Sequence, residues 1–219
     1  MFKILNGKKV ITVNAFEESF SCFKRVEIDI GTGDGRFVYT QAKKNPGIFY
    51  IGIDTVAENM LEYASKSAQK LTKGGLRNIA YVIAAVENLP EELSNLANKI
   101  YITLPWGSLL EGIVKGDSGI LENVANIAKQ QAEFEFLITY DVFHEATEIV
   151  KRELPIITPD YIKDGLAERF SACGLILEEV HTLSEKDLRA YPTTWAKKLG
   201  FGRTREVFVL KGTIDSKRG

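Results

Sequence analysis

Arg25-Val26-Glu27-Ile28-Asp29-Ile30-Gly31-Thr32-Gly33-Asp34-Gly35 decides how this chain folds. A mostly apolar run of strand length stops abruptly at three glycines spaced two apart. Residues 36–44 then read as a helix closed by Asn45-Pro46-Gly47. Glycines at the end of a first parallel strand let the backbone turn tightly and approach a ligand closely. The rhythm then repeats. Residues 49–54 read as a buried strand, 58–70 as a helix, 79–84 and 100–104 as strands, 120–131 as an amphipathic helix and 134–140 as a strand. Strands alternating with helices indicate a parallel sheet covered on both faces, and right-handed crossovers wind it into one α/β, doubly wound domain.

Upstream of this unit, residues 1–13 read as a hairpin around Asn6-Gly7, the pair suited to a type I′ turn. Downstream of Tyr140 the alternation loosens. A helix is expected over 144–152. Thr158-Pro159 supplies an N-cap and a first-turn proline for another helix, which runs to about Cys173-Gly174. Strands at 175–182 and 206–211 flank a short helix that starts at Ser184. The expected architecture is a mainly parallel seven-stranded sheet with an N-terminal β-hairpin. It forms one domain over 1–219, with an insertion at 141–165 between the late strands.

Composition narrows the function. Hydrophobic residues are 45% and charged residues 26% of the chain, values of a well-cored globular protein. Lys plus Arg (28) balance Asp plus Glu (29), so a polyanion would have to be gripped by local patches and not by bulk charge. Cys22 and Cys173 stand far apart and only two histidines are present, which argues against a disulfide framework and a metal site. No apolar run reaches the ~20 residues of a membrane span, and the N-terminus shows no signal-peptide core. A cytoplasmic location is expected.

The glycine spacing departs from the dinucleotide fingerprint, because the third glycine follows the second by two residues instead of three. Asp29 at the strand end is a poor neighbour for pyrophosphate but suits a cation, such as the amino end of S-adenosylmethionine. Asp54 ends the second strand 23 positions beyond Gly31, near the offset at which a carboxylate accepts from a ribose diol. After the third strand, the Val86 backbone and the Glu87 side chain are placed to edge an adenine ring. A tight turn without a ligand and solvated strand-end carboxylates are the plain alternatives. Three successive strand ends with this chemistry argue jointly for a nucleoside, and here the sequence resembles the class I S-adenosylmethionine-dependent methyltransferases.

The fourth strand leads into Leu104-Pro105-Trp106-Gly107-Ser108, where chemistry takes place in doubly wound sheets. The second of the two tryptophans, Trp195, lies in Tyr191-Pro192-Thr193-Thr194-Trp195-Ala196-Lys197-Lys198-Leu199. For an isolated tryptophan, core packing is the default. Two in loops suggest aromatic faces that hold a base removed from its stack, at about 1–3 kcal/mol per stack.

These two segments, the glycine loop and Lys73-Gly74-Gly75-Leu76 together resemble the aminoglycoside-resistance 16S rRNA (adenine-1408-N1) methyltransferases of the NpmA/KamB type, over nearly the whole chain. The resemblance implies methyl transfer from S-adenosylmethionine, with S-adenosylhomocysteine as product, to N1 of adenine 1408 in the assembled small ribosomal subunit. It implies a cofactor pocket of Asp29, Gly31, Gly33, Asp54, Val86, Glu87, Leu104 and Thr193, with Trp106 and Trp195 as the catalytic pair that sandwiches the adenine. Neither a DNA partner nor a membrane partner is expected, nor a metal, and the chain is expected to be a monomer.

Basic residues are segregated. Lys66, Lys70 and Lys73 recur at helical intervals, followed by Arg77. From Trp195 onward, Lys197, Lys198, Arg203, Arg205, Lys211, Lys217 and Arg218 exceed Glu206 and Asp215 by five charges. The expected RNA contacts are Lys66, Lys70, Lys73, Arg152, Arg203 and Arg205. Three other readings stay open: a transfer-RNA guanine-N7 methyltransferase, an NAD-dependent oxidoreductase, and a non-catalytic cofactor- or RNA-binding regulator. The first of these usually carries a basic proline-tryptophan-proline segment after the fourth strand, which is absent here.

Overall fold

The computed structural model describes residues 1–14, 20, 22–140, 146–194, 196 and 206–215. Strands β1 (Phe2–Asn6) and β2 (Lys9–Val13) form the hairpin. Asn6 pairs with Lys9, so Gly7 and Lys8 are the central turn residues, and the positive φ falls on Gly7 alone, at 62°. That is the pattern of a type II′ turn and not of the expected type I′ turn at Asn6-Gly7. The glycine fills the first central position instead of the second.

The remaining strands are β3 (Arg25–Ile30), β4 (Ile48–Asp54), β5 (Ile79–Ile83), β6 (Ala97–Thr103), β7 (Ala128–Ile138), β8 (Leu175–Thr182) and β9 (Phe208–Ile214). They form one nine-stranded sheet in the order β2-β1-β5-β4-β3-β6-β7-β9-β8. The five central strands are parallel, while β9 runs antiparallel to both β7 and β8. The seven expected strands are β3 to β9, and the expected hairpin joins them, because β1 pairs antiparallel with β5 and so continues the same sheet.

Alternation along β3 divides the core. Val26, Ile28 and Ile30 join one apolar cluster with Ile51, Ile53 and Ile100. Helices α3 (Gly107–Lys115) and α4 (Ser118–Ile127) cover that face with Ile113, Val114, Leu121 and Val124. Helices α1 (Arg36–Lys44) and α2 (Ala57–Ser67) cover the other face, where Phe37, Val38, Met60 and Ala64 pack on Tyr50, Tyr81 and Tyr101. Each fully buried Ile or Phe contributes about 1.5–3 kcal/mol by leaving water. The odd β3 residue Glu27 is buried on this second face. It is neutralised by Arg25 Nε at 2.6 Å and accepts the Tyr101 hydroxyl at 2.9 Å.

Two helix ends and one whole helix differ from the sequence reading, and β6 and β7 begin earlier than expected, at Ala97 and Ala128. Helix α2 ends at Ser67, because the Leu76 amide bonds the Ser67 carbonyl at 2.9 Å and folds the chain back through a short 3-10 turn, Leu71–Lys73. Helix α4 ends at Ile127 instead of Gln131, because the chain enters β7 at once and Ala128 pairs with Ala97. Helix α3 was not anticipated, although Leu109, Leu110, Ile113 and Val114 have its period. Later elements fall close to expectation. They are α5 (Ala146–Lys151), then a π-turn (Tyr161–Leu166) leading into α6 (Ala167–Ala172), and α7 (Glu185–Ala190). The Thr158 hydroxyl accepts the Tyr161 N–H at 3.0 Å, as a cap should.

Candidate active site

The chain runs from β3 to β4 to β5 in one direction and then crosses to β6 and β7 on the opposite side of β3. The carboxyl ends of β3 and β6 therefore flank a switch point, where doubly wound sheets hold their ligands. A cleft of about 490 Å³ opens there.

Its floor is the glycine bend. Gly31, Gly33 and Gly35 have φ of 72°, 60° and 76°, and the amides of Gly31 and Thr32 both bond the Ile53 carbonyl, at 2.8 and 2.9 Å. A Cβ on Gly35 would stand 2.4 Å from the Tyr81 ring, whereas one on Gly33 would meet nothing within 4 Å. Gly35 is thus needed for close packing, and Gly33 leaves the bend open toward the cleft.

Asp54 is fixed by two backbone donors, Gly33 N–H to Oδ2 and Val56 N–H to Oδ1, both at 2.9 Å. Each oxygen keeps acceptor capacity, which suits a diol. Asp29 is 1% exposed, and its Oδ1 has no hydrogen-bond partner among the described residues. Burial pushes its carboxyl up to about 7 against the opposing hydroxyl of Thr32, and Asp54 and Asp34 act in the same direction as burial. A buried carboxylate oxygen without a partner is costly unless something positive or donating meets it. Val86 and Glu87 lie in one short turn, Val86–Asn88. Asn123 occupies the Val86 carbonyl at 3.0 Å, which leaves the exposed Glu87 side chain on that edge.

The fourth strand end is strained. Leu104 has φ of 53°, a left-handed value that costs a non-glycine residue about 1–3 kcal/mol, and its amide is held by the Leu137 carbonyl at 2.9 Å. This sharp exit brings Pro105 to the cleft and makes Trp106 the extended N-cap of α3. Trp106 is 41% exposed, so it is not a core tryptophan. The wall facing it comes from the C-terminal region. Thr193 lines the cleft, and the Thr194 hydroxyl donates to Asp34 Oδ2 at 2.6 Å.

All eight residues expected at a cofactor line this single cleft together with Trp106. Trp195 lies outside the described residues, as do Arg203 and Arg205. Thr32, Asp34, Asn59, Thr103, Ser108 and Leu109 also line it and were not anticipated. Thr32 and Asp34 lie within the glycine loop and Ser108 within the segment after the fourth strand, and the apolar period after Trp106 would have revealed Leu109. Asn59 and Thr103 belong to no motif.

The cationic candidates do not form the expected single helical face. Lys66 lies on α2, where it is paired with Glu62 at 2.5 Å and sits over the Tyr63 ring. Lys70 and Lys73 are exposed on the turn beyond the helix. Arg152 is held by Glu111 at 2.9 Å and Glu148 at 3.1 Å, so its charge is already met within the fold.

The strand order, the glycine bend and the strand-end carboxylates define a methyltransferase of the doubly wound class. Known proteins narrow the class. The family model described as "NpmA: 16S rRNA (adenine(1408)-N(1))-methyltransferase" matches residues 3–214. A 16S rRNA (adenine(1408)-N(1))-methyltransferase of Escherichia coli is 42% identical, with 97% of this chain and 98% of that protein covered. A solved structure of a mutant 16S rRNA (adenine(1408)-N(1))-methyltransferase from Catenulisporales acidiphilia, with cosubstrate SAM, superposes with a TM-score of 0.90 at 32% identity. It covers 100% of this chain and 99% of its own. The 16S rRNA methyltransferase KamB superposes at 0.89 with 31% identity, covering 97% and 99%. The chain belongs to the NpmA family of 16S rRNA (adenine(1408)-N(1))-methyltransferases.

Proposed function

We propose that this protein methylates N1 of adenine 1408 of 16S rRNA in the assembled small ribosomal subunit, and so confers aminoglycoside resistance on the cell that makes it. One observation carries the chemistry. The glycine bend, the acidic ends of β3 and β4, and a half-exposed tryptophan at the end of β6 meet in one cleft.

The residues present fit S-adenosylmethionine. Asp29 offers a buried carboxylate oxygen without a partner to the cationic amino end, Asp54 offers two positioned oxygens to the ribose diol, and the open bend at Gly33 admits a ligand against the backbone. Glu87 stands at the edge for the base. S-adenosylmethionine supplies a methyl group made electrophilic by its sulfonium.

Adenine N1 carries its own lone pair, so no side chain need remove a proton. The protein's task is alignment, which contributes several kcal/mol through effective concentration. Trp106 offers an indole face on which an unstacked adenine can lie, and that face also favours the positive charge the base acquires. Trp195 completes the proposed sandwich from the other side. The backbone carbonyls at Leu104 and Pro105 are suited to accept from the exocyclic amine and so distinguish adenine from guanine. Lys66, Lys70, Lys73, Arg203 and Arg205 are the proposed phosphate contacts, while Arg152 braces the fold through Glu111 and Glu148.

Incubation of the protein with intact small subunits and methyl-labelled S-adenosylmethionine, followed by mapping of reverse-transcriptase stops, tests this. A single stop at adenine 1408 is expected. Label at another nucleotide, or in transfer RNA, overturns it.

A further inference from the structure

The wall of the cleft that carries Thr193 and Thr194 is anchored from outside the cleft. Tyr191, the C-cap of α7, donates its hydroxyl to Glu135 Oε1 on β7 at 2.5 Å. The other oxygen of Glu135 takes Lys99 Nζ at 3.1 Å. Burial works against the charge on Glu135, yet the Tyr191 hydroxyl and the Lys99 ammonium together hold the carboxyl below its usual range. The Tyr191 ring lies parallel to Phe37, with centroids 5.9 Å apart and planes 3° apart, two positions beyond Gly35. From there the chain turns at once, Thr193 N–H bonding the Tyr191 carbonyl at 2.9 Å, and ends on the Thr194–Asp34 bond. Both ends of this four-residue stretch, Tyr191 to Thr194, are thus tied to the glycine bend or to the start of α1 directly after it.

We infer that Tyr191 is a positioning residue for methyl transfer, fixing the Thr193–Thr194 wall through its hydroxyl bond to Glu135. Phenylalanine would fill the same space beside Phe37, so packing alone does not account for the hydroxyl. The phenol is partly buried, and Glu135 supplies its hydroxyl with a charged partner. Loss of a hydrogen bond to a charged group corresponds to about tenfold or more in a rate that depends on the geometry it fixes. The inference rests on the methyl-transfer reading above.

Tyr191→Phe tests it. At saturating S-adenosylmethionine, kcat on small subunits falls about tenfold, while KM for S-adenosylmethionine changes by less than about threefold and the ring stack preserves the fold. Glu135→Gln keeps an acceptor for the hydroxyl and retains most of the rate. Glu135→Leu falls as far as Tyr191→Phe, and the double variant falls no further. Amide hydrogen exchange gives a readout independent of chemistry. The Thr193 N–H, which bonds the Tyr191 carbonyl at 2.9 Å, exchanges about tenfold faster in Tyr191→Phe. An unchanged kcat in Tyr191→Phe, losses that multiply in the double variant, or unchanged exchange at Thr193 each overturn the inference. Faster exchange in a protein that methylates no subunit overturns the functional reading and leaves the anchor standing.

Discussion

Arg152 Nη1 lies 2.9 Å from Glu111 Oε2 on α3, the helix that Trp106 caps, and its Nε lies 3.1 Å from Glu148 on α5, which ends one residue before it. The guanidinium joins the 141–165 region to the element that presents the tryptophan. Arg152→Ala is therefore expected to lower the melting temperature while the salt dependence of subunit binding stays as it was. Lys70→Ala combined with Lys73→Ala should do the reverse. The melting temperature holds, and the slope of log affinity against log salt shrinks by about 1 to 2. Filter binding at several salt concentrations, alongside thermal melts, separates the two.

Asp29 gives the binding step a pH dependence of defined sign. In the free protein its carboxyl is raised to about 7, so near neutrality a share of molecules carries the proton. A cationic amino group favours the ionised form, so binding releases that proton. Affinity for S-adenosylmethionine should rise from about pH 6 toward 8, approaching tenfold per unit at the acid end and levelling above the folded value. The raised value also means that this group favours folding at low pH, a contribution lost as pH climbs from its unfolded value toward 7. Calorimetry in buffers of different ionisation enthalpy reads the released proton directly. Asp29→Asn should flatten the profile and weaken binding.

Gly35→Ala and Gly33→Ala should part company. Both positions have positive φ, which costs alanine about 1–2 kcal/mol. At Gly35 the new methyl also meets the Tyr81 ring at 2.4 Å, so a loss well beyond that figure is expected in chemical denaturation. At Gly33 nothing stands in the way. Stability should drop only by the backbone term, and the damage should show as weaker binding of S-adenosylmethionine.

Trp106→Ala should leave affinity for S-adenosylmethionine nearly intact and suppress turnover on subunits by about one to two orders of magnitude, the range of one lost base stack. Trp106→Phe should recover part of that rate. Single-turnover assays with methyl-labelled cofactor check both, and an undiminished rate in the alanine variant would remove Trp106 from the site.

The parallel core was readable because its strands are buried on both faces and therefore carry near-continuous apolar runs, ended by glycine or proline. The cofactor side of the cleft was readable for a related reason. Asp29 and Asp54 stand at the carboxyl ends of β3 and β4, Glu87 lies in the turn just beyond β5, and strand ends in such a sheet converge. Apart from α3, whose period was present, what escaped depends on pairing beyond the local sequence. The end of α2 at Ser67 is set by Leu76 folding back, and that of α4 by Ala128 meeting Ala97, neither of which a local period encodes. For the same reason Lys66, Lys70 and Lys73 looked like one face and are not. The Thr194–Asp34 bond spans 160 positions, beyond the reach of any motif. The neutralisation of Arg152 depended on Glu111, 41 positions away.

The addition of β1 beside β5 has a consequence for solubility. Without the hairpin, β5 would present an unpaired row of backbone amides and carbonyls, the kind of template on which chains stack into aggregates. With it, the outermost strand is the five-residue β2, which starts at Lys9 next to Lys8 in the turn, and repulsion between like charges discourages a second molecule from docking there. Removal of the first thirteen residues would thus be felt as precipitation during expression before any loss of chemistry could be measured.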